Sequence, residues 1–389
     1  MDLDSKRMED GGDVASDRLF NRTLGENYDR VDYAPGVEPR LEHERLLGIG
    51  ALFGCCPAGR DVLDLGCGWG VPLARAAAMG GDRLTGLDIS RRALAQAEAR
   101  CAPFGSRCRL EHVDLLDVRP EDLGTYDLVY NVGVYYVAPE AVRRRLVDLI
   151  GRCVGPGGIA VVTYYAGPMA DIRERVYRLL REASDSASSP SAAVAAARSG
   201  LAALKQQIQQ TTWKDMLLEE LDRIGRAPDS LLYHEGLNSS FAAVETLVLA
   251  REMERYGLHF LAYSGPGPSL SVPSSSTRAA AASTYDLSRG GYRYAVFGKP
   301  PGSAFDIRTP LVTWQASLTR TLQPDGSVKY VNIESGRSVV VTRPAIGALV
   351  DRLVAGPANW QQLVAAAGTA ASAEPPAVEA QSALTKLWQ

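Results

Sequence analysis

The sequence predicts an α/β fold, a parallel sheet with helices on both of its faces. Three observations predict it. Between Asp61 and Tyr165 short apolar runs alternate with amphipathic segments. The first run ends in a glycine-rich turn, DVLDLGCGWG over 61–70. The runs that follow end in polar residues at regular places, Asp88, Asp114 and Asn131.

Taken in order, residues 1–17 are polar and acidic-rich and read as a disordered tail. A mixed stretch follows, ending in a helix-like LEHERLLGIGALFG. DVLDLGCG and RLTGLDIS read as strands, each followed by a helix, VPLARAAAM and RRALAQAEARC, with Ser90 as N-cap of the second. RLEHVDLLDV, YDLVYNVGV and GIAVVTYY supply three more strands. Between the last two, Val142, Leu146, Leu149, Ile150 and Cys153 line one helix face, with Pro139 before it and Gly155 beyond.

Residues 168–250 break the rhythm and read as a helical insertion with a mobile Ser/Ala-rich middle over 184–200. A helix over 241–256 and the strands LHFLAYSG and YRYAVFGKP resume the core, with a Ser/Pro/Ala-rich loop over 264–290 between those strands. Beyond Pro301, VKYVNI, a turn at ESGR and SVVVT read as a hairpin. Helical segments follow at 344–354 and 359–367, then an Ala/Pro stretch and a short last helix, a small α+β unit of winged-helix type.

Composition narrows the function. Of 389 residues 46% are hydrophobic and 22% charged, enough for a sizeable core. A net charge of -3 argues against a general nucleic-acid surface. No run approaches the ~18 apolar residues of a membrane span, and the start has no signal-peptide core, so a soluble protein is expected. Six cysteines, none in a CxxC, and four histidines offer no metal-type spacing. A reduced, cytoplasmic protein without a metal is the expectation.

The chemistry sits on the strand ends. Gly66, Gly68 and Gly70 stand where a strand turns into a helix, so a ligand can lie against bare backbone. Cys67 lies inside this turn as a backbone contributor. Asp88, about 20 residues after Gly68, stands at the distance where a carboxylate meets ribose hydroxyls. Asp114 can meet an adenine amine while Leu115 packs on the ring, and Asn131 ends the fourth strand beside the cleft.

This series resembles the class I S-adenosylmethionine (SAM)-dependent methyltransferases, over roughly residues 40–165 plus the two strands before Pro301. The resemblance implies a Rossmann-like, seven-stranded sheet with an antiparallel edge, and SAM as cofactor. It implies that the glycine turn holds the methionine portion with Asp64 nearby, and that Asp88 and Ile89 with Asp114 and Leu115 hold ribose and adenine. ENYDRVDY, GVYYV and LLYHEGLN are similar to bacterial methyltransferases carrying a methyltransferase regulatory domain, some of them protein-lysine methyltransferases. Tyr28, Asp29, Val31 and Tyr33 match that group's YDxVxY, which adds Tyr28 and Tyr33 to the cofactor residues. His234, Glu235, Leu237 and Asn238 match its HEYLN, with Gly236 departing. Glu42 stands where the group has a histidine, and the fifth strand ends TYY through Tyr164 and Tyr165 instead of SYN.

The division expected is a tail at 1–17, a SAM-binding core at 18–167, a cap or regulatory insertion at 168–250, core completion at 251–301 and the winged-helix-like unit at 302–389. The mechanism that follows is direct displacement, needing alignment, exclusion of water and a base only for a protonated acceptor. Candidate groups are Tyr135, Tyr136, His234 and Glu235. Tyr135 and Tyr136 alternate faces, so only one faces the cleft, and His234 reads first as a packing group. NVGV after the fourth strand lacks the [DN]PPY element of enzymes acting on base amines, which disfavours DNA. The leading acceptor is a peptide or protein. A small secondary metabolite, or a SAM-binding regulator without turnover, are the alternatives.

Overall fold

The computed structural model describes residues 11–31, 33, 57, 59–208, 214–264, 291–299, 318–323, 327–332, 338–341 and 344–354, with 362, 365 and 366. Its centre is a seven-stranded sheet in the order β3-β2-β1-β4-β5-β7-β6. The strands are β1 (Val62–Leu65), β2 (Leu84–Asp88), β3 (Cys108–His112), β4 (Tyr126–Asn131), β5 (Val154–Ala166), β6 (His259–Ser264) and β7 (Gly291–Gly298). The first five are parallel, and β7 runs antiparallel between β5 and β6. This is the Rossmann-like methyltransferase sheet with its antiparallel edge.

Strand residues alternate between two cores, as a two-residue side-chain period requires. Leu63, Leu65, Val129, Ala160 and Val162 face one core; Val62, Leu128, Tyr130, Ile159 and Val161 face the other. Both faces are covered, which is why the strands read as continuous apolar runs. Helices α2 (Val71–Ala78) and α3 (Arg91–Cys101) bury Leu73, Ala77, Leu94 and Cys101 on one face. Helix α4 (Glu140–Cys153) buries Val142, Leu146, Leu149, Ile150 and Cys153 on the other. Ser90 caps α3, its Oγ accepting from the Ala93 amide at 3.1 Å.

Two expectations are corrected. Residues 11–17, placed in a disordered tail, belong to a 20-residue helix, α1 (Gly11–Arg30). Its polar sequence hid it, because α1 is held in part by polar contacts to residues distant in sequence: Arg18 with Asp117, and Asn21 with Asp114. The Ser/Ala-rich stretch over 184–200 is not a mobile middle. From residue 190 on it is helix α6 (Pro190–Gln207), whose N-cap Ser189 accepts from the Ala192 amide. Alanine is the best helix former, and a sparse stripe of Val194, Ala197 and Leu201 suffices to bury one face.

α6 packs beside α5 (Pro168–Ser184) and α7 (Lys214–Gly225), the three long helices among the described residues of the insertion. Arg173 of α5 and Glu220 of α7 form a buried ion pair at 2.5 Å, and Arg223 adds a second contact to Glu220 at 2.6 Å. The helix expected over 241–256 is shorter, α8 (Thr246–Glu254). The preceding residues bind as extended backbone, Ala242 N–H to the Tyr136 carbonyl and Val244 N–H to that of Tyr165.

Further on, β9 (Val328–Asn332) and β10 (Ser338–Val341) form the expected hairpin, and β8 (Leu318–Leu322), not foreseen, adds a third antiparallel strand. Helix α9 (Pro344–Val354) follows. The helix-like 41–54, the 265–290 loop, the closing Ala/Pro stretch, the last helix and nearly all of 359–367 lie outside the described residues, and with them part of the winged-helix expectation. Among the described residues no helix is long and apolar enough to cross a membrane.

Removing Glu220 leaves the Arg173 cation buried and unpaired. Glu220→Ala is expected to cost about 3–5 kcal/mol. Hydrogen exchange resolved by segment should show the loss concentrated in 168–225, with protection of the central strands nearly unchanged.

Candidate functional site

The glycine turn leaves β1 at Leu65. The amides of Gly66 and Cys67 both donate to the Leu87 carbonyl, pinning the turn to β2. Gly66 has φ +85°, and a Cβ there would stand 2.3 Å from Val134 Cγ2, so no larger residue fits. Gly68 has φ +51° and faces the cleft, with nothing within 4 Å of where a Cβ would be. Its amide donates 2.7 Å to Asp88 Oδ2, while Asp88 Oδ1 accepts from the Ser90 amide at 2.8 Å. Burial pushes the Asp88 carboxyl up and these amides pull it back. Cys67 is buried in the turn, its thiol pushed well above the ordinary value by burial, so it is neutral.

Asp64, the next-to-last residue of β1, is 1% exposed and lines the cleft. Burial, and then the Asp88 charge, push its carboxyl up to about 8, and its Oδ2 has no hydrogen-bond partner among the described residues. Asn131 ends β4 as expected, but its side chain turns back from the cleft. It is fully buried behind the turn, donating to the Leu65 carbonyl at 2.7 Å, and the cleft wall is made by Val132, Gly133 and Val134 after it.

Ile89, Leu115 and Asp88 also line the cleft, and α1 covers it with Asn21, Leu24 and Tyr28. Asp114 stands one layer back. Its Oδ1 caps a short turn by accepting from the Leu116 amide and also accepts from Asn21 Nδ2, at 2.9 and 2.7 Å. The far end of α1 is clasped by Asp29, whose Oδ1 accepts from Ser90 Oγ at 2.7 Å and from the Arg92 amide at 3.0 Å.

Tyr28 and Tyr33 line the cleft where it meets a second cluster. The Tyr28 ring stacks on His234 at 4.3 Å and 3°. His234 Nε2 lies 2.8 Å from the Val31 carbonyl, which can only accept, so Nε2 carries the proton and Nδ1 is bare. Burial lowers the His234 pKa to about 4, so the ring is neutral at physiological pH. Beside it Glu235 Oε1 accepts from the Tyr136 and Tyr33 hydroxyls, at 2.6 and 3.2 Å. Tyr136 meets the edges of Tyr165, Phe241 and Tyr292 at 4.9–5.8 Å, and Arg173 stacks over Tyr165 at 4.5 Å. Both His234 and Glu235 turn inward because residues 232–236 form a π-helical turn, and Gly236 leaves room for Leu232 and Tyr177.

Three of the four candidate catalytic side chains therefore gather, and Tyr135 does not. It is buried toward Glu252 of α8, away from the cluster. The two tyrosines do part company as expected, but they do so in a turn over 135–137 and not along extended strand, with Tyr136 bonded to Glu235. Asn21, Leu24, Trp69, Ser90, Tyr292 and Phe241 were missed, the first two because α1 was not recognised as a helix.

Residues 62–158 match the family described as "Methyltransferase domain". An uncharacterized protein of Rickettsia prowazekii is 25% identical over 56% of this chain and 90% of its own length. A ribosomal protein L11 methyltransferase of Shewanella halifaxensis is 34% identical over 27% of this chain. A ubiquinone biosynthesis O-methyltransferase of Aromatoleum aromaticum is 30% identical over 26% of it. The matches cover only 33% and 42% of those two enzymes. The solved structure of PKMT2 from Rickettsia typhi in complex with AdoHcy shares the fold at a TM-score of 0.57 and 18% identity, over 92% of this chain and 74% of that one.

Asp64 gives the ligand-free protein a pH signature. Its folded pKa, about 8, lies above its ordinary 3.8, so folding favours the protonated form. Stability is full below the lower value and is lost as pH rises toward the upper one. Asp64→Asn should flatten the fall in melting temperature between pH 5 and 8. An unchanged slope in calorimetric scans would place the titration elsewhere.

Proposed function

We propose that this SAM-dependent methyltransferase transfers its methyl group by direct displacement to a nitrogen or oxygen of a peptide or protein. The observation that carries the reading is the Tyr33–Glu235–Tyr136 cluster, which adjoins the cofactor cleft through Tyr33 and whose π-helical turn packs on the inserted helices. The names of the similar proteins support it in part: one acts on ribosomal protein L11, and the likeness to PKMT2 extends beyond the methyltransferase domain.

The cleft suits SAM in its donor set. The orphaned Oδ2 of Asp64 would meet the methionine ammonium, and the open side of Gly68 would take the methionine chain. Asp88 accepts from the Gly68 amide on one oxygen and the Ser90 amide on the other, and its carboxylate would take the ribose hydroxyls, with Ile89 and Leu115 beside the purine. When bound, SAM supplies a methyl carbon already activated by its sulfonium. The protein then needs to align the nucleophile and exclude water. Tyr33 and Tyr136 hold Glu235 by donating to one oxygen, and Glu235 would accept the proton of an incoming amine or hydroxyl. Burial pushes the Tyr136 hydroxyl well above its ordinary value, so it remains a donor. With a pKa near 4, His234 is too weak a base for this task and would instead hold Tyr28 against the cleft.

Glu235→Gln is expected to lower kcat about 10²- to 10⁴-fold, the usual contribution of a positioned base. Its SAM affinity, measured by calorimetry, should stay within about threefold. The assay is S-adenosylhomocysteine release, with mass spectrometry of the product, on peptide acceptors and on small phenols. Turnover restricted to small phenols would overturn the protein-acceptor reading in favour of a metabolite enzyme of the ubiquinone O-methyltransferase kind.

A further inference from the structure

We infer that Asn21, on the added helix α1, reads the exocyclic amine of the cofactor's purine. The inference rests on the placement of the purine beside Ile89 and Leu115 proposed above.

Asn21 is 6% exposed, a buried polar side chain, yet it forms part of the cleft wall. Its orientation is fixed by chemistry. The Asp114 carboxylate can only accept, so the Asn21 amide nitrogen must face it, as it does at 2.7 Å. The amide oxygen then points the other way, and no donor among the described residues takes it. Asn21 is in the lining of the cleft and Asp114 is not, its Oδ1 being used by Asn21 and by the Leu116 amide. The acidic residue whose position suggests adenine recognition therefore stands behind an amide that faces the ligand.

The neighbours place this oxygen at the purine end. Gly25, one turn along α1, packs against Ile89, where a Cβ would come 3.0 Å from Cγ1. Asn21, Leu24, Gly25 and Tyr28 form one stripe at helical spacing, so Asn21 extends the surface that covers Ile89. Ile89 and Leu115 are apolar and suit the ring faces, while Asn21 Oδ1 is an acceptor held by a carboxylate. An exocyclic amine satisfies it. The carbonyl of a 6-oxopurine would set two acceptors against each other and leave both unsatisfied, which is the arrangement that gives strong discrimination.

The test compares binding of S-adenosylhomocysteine and its deaminated analogue, S-inosylhomocysteine, to the full chain by calorimetry. The wild type should prefer the amine by roughly 100-fold or more. Asn21→Ala should weaken S-adenosylhomocysteine about 10- to 30-fold, leave S-inosylhomocysteine nearly unchanged and reduce the preference to about tenfold or less. The ratio is the readout, because merely loosening α1 would weaken both ligands equally. An equal loss for both, or no loss, overturns the role of Asn21. Leu115→Ala separates the two readings. If it weakens S-adenosylhomocysteine while Asn21→Ala leaves the ratio intact, only the Asn21 inference fails. If neither substitution affects binding, the purine lies elsewhere and both fall.

Discussion

The carboxylate of Asp88 is the joint on which the cleft depends. One oxygen accepts from the Gly68 amide and the other from the Ser90 amide, so a single side chain fixes the glycine turn against the start of α3. Ser90 passes the constraint on: its hydroxyl donates to Asp29 while accepting from the Ala93 amide. A continuous chain of hydrogen bonds thus runs from the floor of the cleft to the helix that covers it. Floor and cover are set together because charge-assisted hydrogen bonds to buried amides are short and directional.

Around this joint the protein collects acidity. Asp64, Asp88, Asp29 and Asp114 surround or support one cleft, and Glu235 stands where it meets the tyrosine cluster. Burial raises the first two, and the Asp88 charge adds to the cost at Asp64. A ligand carrying both a sulfonium and an ammonium offsets that repulsion, so the cavity favours a cationic occupant before any specific contact is counted. The tyrosines nearby remain neutral donors because burial disfavours their phenolates.

Strand ends were legible in the sequence because a parallel sheet converts position along the chain into position along one edge. Asp88 pairs in register with His112, each the last residue of its strand, and Leu65, which closes β1, pairs with Leu87 just before Asp88, so the strand ends meet there without further information. Side-chain length was not legible at Asn131, whose amide reaches back to the Leu65 carbonyl and leaves the wall to its neighbours. Helix α1 was missed since its cleft-facing stripe is short and mixed, and its hold on the core is in part polar and remote in sequence. The inward pairing of His234 and Glu235 had no periodic signature either. Adjacent residues share a face only because the turn is widened to π geometry, which neither a 3.6- nor a 2-residue period describes.

The antiparallel place of β7 decides where the rest of the chain is rooted. Gly291 pairs with Ala166 at the cleft edge of the sheet, and Gly298 pairs with Ile159 at the opposite edge. Lys299 is fastened there, donating its amide to the Gly158 carbonyl and accepting from the Gly157 amide. Everything after it is tethered at the edge remote from the chemistry. The chain thus leaves the sheet on the side away from the glycine turn, where a change in the exit strand's last residues need not disturb the residues that line the cleft.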